Sequence, residues 1–102
     1  MEKTTSIYVL QLEHGKYFVG ESDDPVKQLE EHREGLGPFW TQHHKPIRIL
    51  EIIPFQRGTL DVYTKRTIRS YGIENVRGGS WREPRLTDAQ RHALHDSSCV
   101  LS

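Results

Sequence analysis

The sequence predicts a mixed α/β (α+β) domain, a small three-stranded sheet flanked by helices. Three observations carry this. The segments "SIYVLQL", "KYFVG" and "IRILEIIP" are rich in β-branched and aromatic residues and read as strands. The stretch from Thr59 to Tyr71 sets Leu60, Tyr63, Thr64, Thr67, Ile68 and Tyr71 on one helical stripe. The first two strands carry apolar residues on both faces, which calls for cover on both sides of the sheet. Residues 1–85 form the expected domain, and residues 86–102 a weak helix near "TDAQRHALH" and a loose tail.

The first two strands are separated by "EHG". A three-residue loop with Gly15 in the left-handed position puts Leu10 opposite Phe18, so that Tyr8, Leu10 and Phe18 share one face and Ile7, Val9, Tyr17 and Val19 the other. Asp24 before Pro25 is a helix start: the carboxylate caps free amides, and proline suits the first helical position. That helix is expected to run to about Glu34 and to stop at Gly35. "GLGPFWTQHHKP" holds too much glycine and proline for regular structure. Gly72 ends the second long helix, and "IENVRGGSW" reads as turns.

A chain of 102 residues, 34% of them hydrophobic, suffices for one modest core. No apolar run approaches a membrane span, and "MEKTTS" lacks the apolar core of a secretion signal, so an intracellular protein, cytoplasmic or nuclear, is expected. The single cysteine, Cys99, excludes an internal disulfide and a cysteine-built zinc site. Fourteen basic residues balance fourteen acidic ones, which argues against strong unspecific binding to nucleic acid. Their distribution is uneven. Residues 57–85 hold Arg57, Lys65, Arg66, Arg69, Arg77, Arg82 and Arg85 against Asp61, Glu74 and Glu83, so any basic surface belongs to the second half.

The order hairpin, helix, strand, helix, with the blocks "DDPVKQLEEH", "FWTQHHKPIRILEI" and "YTKRTIRSYGIENVRGGSW", resembles the GIY-YIG endonuclease family, in a branch common in large DNA viruses and in microbes. The similarity covers roughly residues 6–81. It implies a three-stranded antiparallel sheet and a phosphodiester hydrolysis that uses Mg²⁺ or Mn²⁺. A tyrosine of the first strand handles the proton of the attacking water, a second tyrosine assists, an arginine of the first helix stabilises phosphate charge and a glutamate of the later helix holds the cation.

Carried onto this chain, the first tyrosine is Tyr8. The second falls on Phe18, which has no hydroxyl. The arginine falls on Gln28, whose neutral amide cannot replace a guanidinium fork. The glutamate falls on Thr64, which is no anionic ligand; Asp61, one turn earlier and about 60° around the helix, is the nearest carboxylate. His32 stands where the family often has a histidine, and the alternative is that it hydrogen-bonds beneath the following loop. Glu21, Asp23 and Asp24 make the turn before the helix acidic, a poor place for a phosphate.

Other constellations are weaker. Phe39, Trp40, His43, His44, Lys45 and Arg48 mix aromatic and basic groups as a nucleic-acid surface does, although Phe39 and Trp40 also suit core cover. Arg48, Lys65, Arg66, Arg69 and Arg77 are the candidate nucleic-acid contacts; a solvated helix face is the alternative for Lys65, Arg66 and Arg69. His92 and His95 are spaced for one helical face but lack a third metal ligand. "CVLS" has the form of a prenylation box on Cys99, which implies a farnesyl group and weak membrane association. Three functions follow as expectations: a catalytically impaired GIY-YIG-like module that binds DNA, RNA or a protein; an active, diverged, metal-dependent endonuclease; or a farnesylated membrane adaptor or effector.

Overall fold

The computed structural model describes residues 5–54, 59–81 and 86–90. Its elements in order are β1 (Ser6–Leu12), β2 (Tyr17–Ser22), α1 (Pro25–Arg33), α2 (Phe39–His43), β3 (Pro46–Pro54), α3 (Thr59–Tyr71) and β4 (Val76–Gly78). The sheet has four strands, ordered β3-β1-β2-β4, rather than the three expected. The central strand β1 runs antiparallel to both of its neighbours, β2 and β3, and β4 adds to β2 in parallel, Tyr17 to Val76 through Val19 to Gly78. A strand of three residues carries too little alternation to be seen in sequence. It forms because the turn after α3 delivers it to the open edge of β2.

The hairpin has the expected register. Leu10 pairs with Phe18 and Tyr8 with Gly20. Gly15 is left-handed at φ 69, and His14 shares that region at φ 66. The alternation therefore splits the core in two. Ile7, Val9 and Val19 pack with Ile68 of α3, Val76 and Trp81. Tyr8, Leu10, Leu12 and Phe18 pack with Trp40 and Leu29 under α1 and α2. Full burial of each such side chain contributes about 1.5–3 kcal/mol, so two thin layers share one sheet.

Local chemistry sets the helix ends. The Asp24 carboxylate accepts from the Lys27 amide at 3.2 Å, Pro25 opens α1, and Gly35 follows it at φ 83. The segment expected to be irregular contains α2, a five-residue helix started by Pro38. Its stability comes from Trp40, 6% exposed, whose indole N–H donates to the Tyr17 carbonyl at 2.9 Å. The outer edge at β3 is irregular: its pairing with β1 shifts twice, and prolines stand at both ends. These features discourage pairing with another chain.

Candidate functional site

A pocket of about 570 Å³ opens where β4 ends. Tyr8, Phe18 and Gly20 come from the hairpin, Gln28, Glu31 and His32 from α1, and Leu36, Gly37 and Pro38 from the loop before α2. Leu60 and Asp61 of α3 and Gly79 and Ser80 beyond β4 close the other side, with Glu21 at the end of β2. Tyr8, Phe18, Glu21, Gln28, His32 and Asp61, all singled out in the sequence, thus face one cavity.

A hydrogen-bonded chain runs along its inner wall. The Tyr8 hydroxyl lies 2.9 Å from His32 Nε2, and His32 Nδ1 lies 2.9 Å from the Thr41 hydroxyl, which donates to the Pro38 carbonyl at 3.1 Å. His32 is 3% exposed; it bonds beneath the loop, as one of the two alternatives expected, and it lines the pocket. Burial pushes its pKa below the ordinary 6.5, against the smaller upward pull of Glu31. Two glycines make room for the chain. A Cβ at Gly20 would stand 2.6 Å from the Tyr8 oxygen, and one at Gly37 would overlap His32 Nδ1.

Phe18 sits against this chain, its ring 6.4 Å from that of Tyr8 and 5.3 Å from His32, and has no polar atom to offer. Gln28 reaches Glu31 with its amide at 3.4 Å. Thr64 is fully buried and donates to the Leu60 carbonyl at 2.7 Å. The Asp61 carboxylate accepts from the Ser80 amide at 2.9 Å and from the Ser80 hydroxyl at 2.6 Å. It braces the turn after β4, and a Cβ at Gly79 would collide with it. These residues do not fit the cation that the resemblance implies. Thr64 is neutral and turned to its own helix, Asp61 is engaged with Ser80, and no three His, Cys, Asp or Glu side chains converge on a metal position among the described residues.

The lining has a charge bias. Glu21, Glu31 and Asp61 face the pocket, and among the described residues no lysine or arginine does. The basic candidates lie elsewhere. Arg66 and Arg69 are exposed on α3, with the Arg66 guanidinium 5.5 Å from the Tyr63 ring; Lys65 is half-buried, 5.5 Å from the ring of Trp81. Arg48 is exposed on β3 and donates to Gln11 at 2.7 Å. Arg77 corrects the sequence reading. It is 2% exposed, donates to the carbonyls of Ile73 and Val76 and stacks 4.6 Å from the Trp40 ring, so it is part of the interior and not a surface contact.

Of the aromatic and basic mixture before β3, Trp40 is core and Phe39 is 52% exposed, edge-on to His43. His14 in the hairpin turn meets His44 at the end of α2, with their Nδ1 atoms 3.1 Å apart. Cys99, His92, His95, Arg57, Arg82 and Arg85 lie outside the described residues. Sequence reasoning missed Thr41, Gly37 and Ser80: Thr41 and Gly37 meet His32 within a stretch that has no periodicity, and Ser80 meets Asp61 from beyond β4. Among the described residues no helix is long and apolar enough to cross a membrane. Comparison with protein-family models, with curated proteins and with solved structures finds no match for this chain.

Proposed function

We propose that the chain is a GIY-YIG-like domain with an impaired catalytic centre, acting as a module that binds nucleic acid. One observation carries the reading: the positions that the resemblance assigns to catalysis meet at or beside one pocket, yet they hold Phe18, Gln28 and Thr64 beside Tyr8. Loss of one electrostatic stabiliser costs roughly 10²–10³ in rate, and here the arginine and the glutamate are both replaced. The carboxylates of Glu21, Glu31 and Asp61 further disfavour a phosphate in the pocket. Binding then falls to the exposed cations Arg66 and Arg69 on α3 and Arg48 on β3.

The hydrogen bond between Tyr8 and His32 favours a second reading, a diverged endonuclease in which that pair handles the proton of an attacking water. Incubation with supercoiled, branched and single-stranded DNA in Mg²⁺ and in Mn²⁺ separates the two. The first reading expects no cleavage, and binding that weakens steeply with salt and falls in Arg66→Ala/Arg69→Ala. Cleavage that Tyr8→Phe abolishes establishes the second. Absence of both binding and cleavage leaves a protein partner as the occupant, and mass spectrometry of protein treated with a farnesyltransferase reads the Cys99 tail directly.

A further inference from the structure

We propose that Thr41 is a positioning residue that fixes the direction of the proton between Tyr8 and His32. It holds His32 as the tautomer with hydrogen on Nδ1 and an acceptor at Nε2. The proposal deepens the second reading, in which the Tyr8–His32 pair handles a proton, and rests on it for its use, while its geometry stands alone.

Thr41 is the third residue of α2, and its hydroxyl lies 3.1 Å from the carbonyl of Pro38, three residues earlier. Threonine hydroxyls in helices commonly give their proton to such a carbonyl. A hydroxyl has only one proton to give. Once it goes to Pro38, the Thr41 oxygen meets His32 Nδ1, 2.9 Å away, as an acceptor, and Nδ1 must carry hydrogen. A neutral imidazole has a single N–H, so the lone pair is on Nε2 and the Tyr8 hydroxyl donates to it across 2.9 Å. Burial of His32 keeps the ring neutral, with Glu31 the charged neighbour that opposes this. Gly37 lets the loop close on Nδ1 and Thr41 together.

The consequence is a directed path. Transfer of the Tyr8 proton to His32 Nε2 leaves a phenolate and an imidazolium, the latter steadied through Nδ1–H by Thr41. A reactive oxygen, a base and a group that orients the base is the general form of an activated hydroxyl. With the opposite tautomer, Nε2 would donate to Tyr8 and could not accept its proton.

The test is the tautomer itself. Long-range proton–nitrogen correlation spectra of protein labelled with ¹⁵N-histidine, taken at pH 7.5 without DNA, are expected to show His32 with Nδ1 protonated and Nε2 unprotonated. Thr41→Val, which offers Nδ1 no oxygen, is expected to move His32 toward the Nε2-protonated form, and Thr41→Ser to retain the wild-type pattern. A wild-type His32 protonated at Nε2 overturns the proposal, as does a folded Thr41→Val protein with an unchanged tautomer. Should Thr41→Val fail to fold, the wild-type spectrum decides alone. Because no nucleic acid enters, failure of DNA binding leaves this result intact.

Discussion

Gly37 shows how much of the site rests on single atoms. Its backbone is ordinary, but the space where a side chain would begin is filled by the His32 ring and the Thr41 hydroxyl. Gly37→Ala is therefore expected to displace His32 and to cost about 1–3 kcal/mol as overpacking does, measured by urea denaturation, whereas alanine at an exposed helix position such as Lys27 is expected to change little. Tyr8 and Phe18 could be placed on one face from sequence because alternation in a hairpin is rigid once the turn is known. Thr41 could not: its partner His32 lies nine residues back, beyond a glycine- and proline-rich stretch without periodicity. Arg77 misled for a related reason. Charge in a sequence suggests surface, but a guanidinium can be buried when carbonyls accept its protons and a ring covers its face.

At the level of elements, the pocket depends on how the chain after α3 is pinned. β4 adds to the sheet through three pairs, and the turn that follows is held to α3 by the two bonds from Ser80 to Asp61. Asp61→Ala removes both and is expected to lower stability by about 1–2 kcal/mol, since the acceptor is charged but partly hydrated; the urea midpoint reads it, and Ser80→Ala should reproduce a smaller part. An unchanged midpoint in Asp61→Ala would mean that the turn is held by other contacts. The large elements were legible because proline, glycine and a capping aspartate mark their ends. α2 and β4 were not, since five and three residues give too short a pattern and both are held by tertiary contacts, Trp40 to Tyr17 and Val76–Gly78 to β2. The neutral, non-ionic character of Phe18, Gln28 and Thr64 was readable, while the burial of Thr64 and the bonding of Asp61 to Ser80 needed the fold.

For the molecule as a whole, burial of His32 couples stability to pH. Its folded pKa is lowered, so above the ordinary value of 6.5 the imidazole is neutral in both states and its contribution is fully present. As pH falls below 6.5 the unfolded chain takes up a proton that the folded chain resists, and that stability is lost until the lowered folded value is passed. His44, also shifted down, by partial burial and by His14, Lys16 and His43, adds in the same direction. Urea midpoints are therefore expected to fall between pH 7.5 and 5.5, and the part of the slope due to His32 to disappear in His32→Gln; a midpoint that rises on acidification contradicts this.

We propose that this pocket has the layout of a GIY-YIG centre without its chemistry. Restoring Phe18→Tyr, Gln28→Arg and Thr64→Glu together, in a variant shown to be folded by its circular dichroism and urea transition, addresses it most directly. The measurement is cleavage of supercoiled and branched DNA in Mg²⁺ by wild type and restored variant side by side. The expected result is an inert wild type and a restored variant that cleaves only with the metal and only while Tyr8 is intact. Cleavage by the wild-type protein, or a folded restored variant without activity, would contradict it.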